Sequence, residues 1–243
     1  MIKQQNNLLL QIKHLNYKTN NQTILNDVSF SINTNEMVGI IGPSGAGKTT
    51  IIEQILNDKN FNKSVFTSLA QNSKGFKNSV SYFSQNFIQY RFESAQLNVM
   101  RNFRGYKNLF YRALAGLTGE QNRRFKYLLN RSGIKRKIYN TMSSLSSGEK
   151  QRVNLIRVLL ENKNLIFADE PTANLDPETS RTVMEMLWEF KDNSRSVFIC
   201  IHDVQLATAF CDKLILLKNG SIQKIIEKKD FDDYEQEIRE LYL

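Results

Sequence analysis

Short apolar runs punctuate this chain, and between them lie stretches whose apolar positions recur at helical spacing. Leu8 to Ile32 reads as short strands separated by the polar turn Thr19-Asn20-Asn21-Gln22. The latter part of Ile24 to Ile32 alternates apolar and polar, as a half-buried antiparallel strand does. Met37 to Ile41 is an apolar strand candidate, followed by a glycine-rich stretch and an apolar-periodic helix from Thr49 to Leu56. Val80 to Ser84 is another strand, ending at Gln85. A helical region then runs from Phe92 to Leu129, rich in aromatics and arginine and interrupted by Gly105, Gly116 and Gly119; Thr118-Gly119-Glu120-Gln121 marks a helix start within it.

Strand and helix alternate beyond Gly148. Helices are expected over Gly148–Leu160, Glu178–Phe190 and Val204–Cys211, with strands over Leu165–Ala168, Ser196–Ile201 and Lys213–Leu217. Asn219-Gly220 turns the last of these into a hairpin with Ser221–Ile226. Such alternation implies a parallel sheet with helices on its faces. The tail, Phe231 to Leu243, reads as one charged amphipathic helix.

At 243 residues the chain is long enough for one large α/β domain with a subdomain. No apolar run approaches the length of a bilayer span, and the start, Met1-Ile2-Lys3-Gln4-Gln5, is too polar for a signal peptide. The expectation is a soluble chain in the cytosol. Cys200 and Cys211 sit among apolar residues with no metal-type spacing, which favours buried free thiols. The net charge of +9 is concentrated: Val99 to Lys137 alone carries +10, with Glu120 its only acid. Such a stretch suits nucleic acid, an anionic membrane surface or water, and charge alone does not choose between them.

The candidate chemistry begins at Gly42-Pro43-Ser44-Gly45-Ala46-Gly47-Lys48-Thr49, followed by Thr50. A glycine-rich turn between strand and helix curls backbone N–H groups around phosphate oxygens at the positive end of the helix dipole. From there Lys48 reaches the β- and γ-phosphates, and the Thr49 hydroxyl is placed to coordinate magnesium. ATP and Mg2+ are therefore expected. Downstream, the apolar run Leu165-Ile166-Phe167-Ala168 ends in Asp169 and Glu170. Asp169 can stand beside the magnesium, and Glu170 can act as general base on a water facing the γ-phosphate. Leu145-Ser146-Ser147-Gly148-Glu149 before a helix offers a second anion-binding element.

With that segment the chain resembles the ATPase subunit of an ATP-binding cassette (ABC) transporter. The resemblance implies a P-loop NTPase fold with an antiparallel β subdomain and an α-helical subdomain: a nucleotide-binding core over 1–91 and 141–228, a helical subdomain over 92–140 and a C-terminal helix over 229–243. Two positions depart from the usual Leu-Ser-Gly-Gly-Gln signature: Ser147 replaces a glycine and Glu149 the glutamine. Ser146 and Gly148, the implied phosphate contacts, remain, so the departures should tune affinity rather than abolish function. By the same resemblance Gln85 links magnesium and attacking water to the membrane partner, and Asn174-Leu175-Asp176 crosses to a second subunit. His202 contacts the γ-phosphate, and Tyr17 stacks on adenine. Ser146 and Gly148 are expected to face the nucleotide of a second copy, so that two chains enclose two ATP molecules.

A finer resemblance lies in the helical region. Leu97 to Gly105, Tyr111 to Leu117 and Thr118 to Arg124 are similar to an arginine-rich insert of phosphonate importer ATPases. It implies uptake of a phosphonate-type or other phosphorylated small molecule. The partners would be membrane permeases and, indirectly, a solute-binding protein, at the cytoplasmic face of the membrane, with no nucleic acid. The surface near Gln85 and Phe87 would receive a permease helix on a floor of Phe92, Phe103 and Tyr106, with some arginines facing anionic headgroups and charge reversal at Arg101 and Arg104 uncoupling transport. Two other readings share the nucleotide motifs: a non-transport ABC ATPase acting on nucleic acid or ribosomes, and an exporter or lipoprotein-release ATPase.

Overall fold

The computed structural model describes residues 7–19, 22–84, 87–104, 107–108 and 116–241. Its centre is a six-stranded sheet built on five strands buried throughout or nearly so: β3 (Met37–Ile41), β5 (Val80–Phe83), β6 (Leu165–Asp169), β7 (Ser196–Cys200) and β8 (Lys213–Lys218). They pair in parallel in the order β5-β6-β7-β3-β8, and β9 (Ser221–Glu227) closes the β8 edge antiparallel. Burial on both faces explains the unbroken apolar runs, because successive side chains feed opposite cores. Met37, Ile41, Ile166 and Ile199 enter one core; Val38, Ile40, Phe167 and Phe198 enter the other.

The second core is capped by a three-stranded antiparallel sheet, in which β1 (Leu8–Thr19) lies between β2 (Gln22–Asn33) and β4 (Val65–Thr67). Phe30 of β2 stacks on Phe198 at 5.4 Å between ring centroids, and Phe167 meets Phe198 edge-on at 5.8 Å. Helix α1 (Lys48–Ile55) buries Ile51, Ile52 and Ile55 in the same core. Neither β4 nor α2 (Ser73–Ser79) is evident in the sequence, where residues 57–78 show no clear period.

The opposite face carries the helical elements α3 (Ala95–Asn102), α4 (Gly119–Arg131), α5 (Ser147–Leu160) and α6 (Pro177–Phe190), with α7 (Val204–Phe210) beyond. Within the region expected to be helical from Phe92, Ser94 caps α3, an extended Phe103 ends it, and Thr118 caps α4. The tail also differs from the single helix expected: two 3-10 turns, Lys228–Asp230 and Asp232–Tyr234, precede the short α8 (Glu235–Glu240). Phe231, Ile238 and Leu241 are buried, so anchoring these apolar groups governs the tail. Among the described residues no helix is long and apolar enough to cross a membrane.

One buried polar cluster joins the helical side to the sheet. Arg157 of α5 pairs with Glu161 at 3.0 Å, and their side chains are only 11% and 2% exposed. Arg157 also donates to the Tyr82 carbonyl at 3.1 Å and to Asn154 Oδ1 at 2.8 Å. Ser81 Oγ donates to Glu161 Oε2 at 2.6 Å, and Asn154 donates to the Ser84 carbonyl at 3.0 Å. Removing one partner strands a buried charge, which costs more than replacing both with apolar groups. Glu161→Leu should therefore lose about 3–5 kcal/mol in urea unfolding, and Arg157→Met with Glu161→Leu should lose less than Glu161→Leu alone.

Candidate nucleotide site

The phosphate loop leaves the carboxyl end of β3, where ligands of open parallel sheets are received. Its last residue before α1, Gly47, has φ +104, and a Cβ there would stand 2.8 Å from Leu25 Cδ2. Glycine is required on both counts. Tyr17 is registered opposite Leu25 across β1 and β2 and is partly buried, so it belongs to the sheet that backs the loop. The hairpin after β8 closes the other side: Gly220 N donates to the Ala46 carbonyl at 3.0 Å, and Asn26 N donates to the Gly220 carbonyl at 2.9 Å.

Lys48 is buried, and its Nζ donates to the carbonyls of Gly42 at 2.7 Å and Pro43 at 3.0 Å. Burial pushes its pKa down, while the nearby acids Glu170 and Asp169 oppose the shift. Thr49 Oγ1 donates to Asp169 Oδ1 at 3.1 Å, so the first residues of α1 and the end of β6 meet as the sequence predicts. Glu170 follows in the left-handed region, φ +48, held by its N–H on the Cys200 carbonyl at 3.1 Å. A non-glycine residue in that conformation is strained, and such strain gathers at functional sites. His202, just after β7, brings Nε2 to 2.7 Å from Glu170 Oε1.

A cleft of about 300 Å³ opens beside this pair, with Thr172, Leu175, Asp203 and Leu206 among its walls. The Thr49 hydroxyl and the Asp169 carboxylate are hard oxygen donors, the type that suits magnesium. Lys48, whose ammonium is met among the described residues by loop carbonyls, suits a phosphate chain. The residues present therefore fit both ATP and its metal ion.

Ser146, Gly148 and Asp176 form a separate group. Ser146 caps α5: its Oγ accepts from Glu149 N at 3.3 Å, while Glu149 Oε2 accepts from Ser146 N at 2.9 Å. None of the Ser146 hydrogen bonds reaches residues 42–50, so this serine is turned to its own helix end. A Cβ on Gly148 would stand 2.8 Å from Leu175 Cδ2, so the loop before α6 packs against the signature turn itself. Gln151 reinforces that contact by donating to the Ala173 carbonyl at 3.0 Å. Asp176 caps α6, accepting from Thr179 N at 2.9 Å. Ser44 and Thr50 stay near the loop as part of its turn and first helical residues, and Gln85 lies outside the described residues.

Two neighbours of Asp169 escape a reading of the sequence. Tyr82 OH donates to Asp169 Oδ2 at 3.5 Å, and burial raises the phenol to about 12. Cys200, registered beside Asp169 in β7, also hydrogen-bonds that carboxyl, so its surroundings are not purely apolar. The expected apolar docking floor is corrected as well: Phe103 is buried in the core, whereas Phe92 is 91% exposed, and Tyr106 lies outside the described residues. Arg101 is more than half exposed while it pairs with Glu93 at 2.6 Å and covers the Tyr90 ring at 5.2 Å.

Burial raises the Asp169 carboxyl above its ordinary value near 3.8; the Thr49 hydroxyl offsets part of this and the Glu170 charge adds to it. Ionised Asp169 therefore costs the folded state stability above that range and costs none once both states are protonated. Asp169→Asn should make the nucleotide-free chain more resistant to urea at pH 7. That advantage should vanish as the pH falls through the folded pKa to below the ordinary value.

Comparison with known proteins agrees with this geometry. The family model described as "ABC transporter" matches residues 25–173. A probable ABC transporter ATP-binding protein, p29, of Mesomycoplasma hyorhinis is 31% identical, over 86% of this chain and 88% of its own. The phosphonates import ATP-binding protein PhnC of Fusobacterium nucleatum is 31% identical over 96% and 98%, and that of Escherichia coli K12 28% over 93% and 91%. The fold matches a nucleotide-free cassette of an ABC transporter with a TM-score of 0.79 at 19% identity, covering 97% of this chain and 99% of that one. It also matches a dimeric post-hydrolysis cassette bound to ADP and phosphate, with a TM-score of 0.73 at 24% identity over 90% and 99%. Matches of this extent, running nearly end to end, place the chain in the ABC transporter family, among its ATP-hydrolysing subunits.

Proposed function

We propose that this subunit energises an importer for phosphonates or related phosphorylated small molecules, with Glu170 as the general base of ATP hydrolysis. The observation that carries the chemistry is the 2.7 Å contact between His202 and Glu170 beside the Thr49–Asp169 pair. Lys48 and the loop from Gly42 to Thr50 hold the phosphate chain, and Tyr17 flanks the base. Thr49, Asp169 and Gln85 hold Mg2+, which when bound neutralises phosphate charge and fixes the oxygens for in-line attack. Glu170 accepts the proton of the attacking water, and His202 orients that carboxylate while contacting the γ-phosphate.

Ser146, Gly148 and Asp176 act on the nucleotide of a second copy in a head-to-tail homodimer. Their separation from the phosphate loop of the same chain supports that arrangement. Permease subunits dock at the cytoplasmic face of the membrane, with a solute-binding protein acting only through them. The exposed Ile88, Tyr90, Phe92 and Leu97 supply an apolar surface for a permease helix. The phosphonate reading is supported by the near-full-length PhnC relatives and by the insert from Leu97 to Arg124.

A nucleic-acid role for the basic stretch is less favoured because three of its cations are already paired with acids outside it. Arg131 pairs with Glu185 and Glu189, Lys137 with Glu149, and Arg101 with Glu93.

Glu170→Gln should retain ATP binding yet lose hydrolysis by about 100-fold or more, measured as phosphate release with the permease present. Near-normal turnover by that variant would remove Glu170 from its role. Lys48→Ala should weaken binding itself. Phe92→Asp should lower ATP-driven phosphonate uptake into vesicles on the order of tenfold while leaving nucleotide binding alone. Uptake of an unrelated solute, or export, by the reconstituted complex would overturn the substrate assignment.

A further inference from the structure

The signature turn carries a carboxylate beside the serine proposed to receive a phosphate. Glu149 spends Oε2 on the Ser146 N–H, closing a reciprocal cap. Its other oxygen, Oε1, accepts from Lys137 Nζ at 2.5 Å, across from the basic side of the helical region. The Glu149 side chain is only 12% exposed, whereas that of Lys137 is about half exposed. The Lys137 hydrogen bond is the chief cause that holds the Glu149 carboxyl below its ordinary range.

Capping alone does not require this charge. The same chain builds an equivalent reciprocal cap at Thr118 with Gln121, a neutral side chain. A carboxylate at the start of α5 differs because a helix N-terminus attracts anions, and an anion already fixed there repels a second.

We propose that Lys137 is the counter-charge that lets Glu149 brace Ser146 without repelling the γ-phosphate of a nucleoside triphosphate held by a second copy of this chain. Both are positioning residues, and the inference rests on the head-to-tail dimer proposed above. Lys137 cancels the charge through the oxygen that the Ser146 N–H does not use, so the cap on Ser146 is kept. The departure of this signature from its usual glutamine is then compensated within the same chain.

The test uses the full chain carrying Glu170→Gln, with ATP-dependent dimerisation followed by sedimentation over a range of ATP concentrations. Lys137→Ala should raise the ATP needed for half-maximal dimer by roughly fivefold to tenfold, and added salt should narrow that gap. Adding Glu149→Gln to Lys137→Ala should bring the requirement back to within about twofold of the parent, because the uncompensated charge is gone while the cap persists. A purely structural role for Lys137 predicts no such rescue. Lys137→Ala matching the parent, or a double variant as weak as Lys137→Ala, overturns the inference and leaves the dimer standing. A parent that forms no dimer with ATP overturns the head-to-tail arrangement and this inference with it.

Discussion

An arginine that cannot shed its charge is held in the interior, and the placement of both halves of the molecule depends on how it is satisfied. Arg157 is met by Glu161, Asn154 and the Tyr82 carbonyl, so α5 is fixed against β5 in position and in rotation. A packed apolar face would tolerate sliding; this cluster does not, because any slip leaves a buried ionic group without its partner. Asn154 carries the same restraint to the Ser84 carbonyl, immediately before Gln85. The signature turn at one end of α5 and the carboxyl end of β5 are therefore tied through one helix.

The site was legible where its chemistry is local in sequence. The phosphate loop, the acids ending β6 and the histidine after β7 each follow an apolar run, and a parallel sheet gathers such ends on one edge. What stayed hidden depends on pairing between distant strands. Tyr82 and Cys200 flank Asp169 only because β5 and β7 lie on either side of β6 in a particular register. β4 is too short to show alternation, and it exists because β1 offers it an edge. Phe103 looks like any other aromatic of a basic region, yet its place just after α3 sends it into the core. The tail follows the same logic, since three apolar anchors override the helical period between them.

Charge is the other quantity that sequence distance disguises. The stretch from Val99 to Lys137 is strongly basic on its own. Folding brings Glu93 to Arg101, Glu149 to Lys137, and Glu185 and Glu189 to Arg131. Pairs that keep contact with solvent, such as Arg101 with Glu93, add little stability. Their larger effect is to set an acid beside three of the cations in that stretch, which lowers its local positive field.

The hairpin at Asn219-Gly220 is joined to distant parts of the chain in the same way. Its glycine holds the Ala46 carbonyl on one side, and a Cβ there would fall 2.1 Å from the Ile24 carbonyl oxygen on the other. A turn that seems only to join two strands is thus a structural wall of the phosphate loop. A side chain at Gly220 would push the turn off both β2 and the loop that holds the phosphates. A substitution in this turn would therefore be felt at the nucleotide, although the edge strand it opens is half exposed along its length.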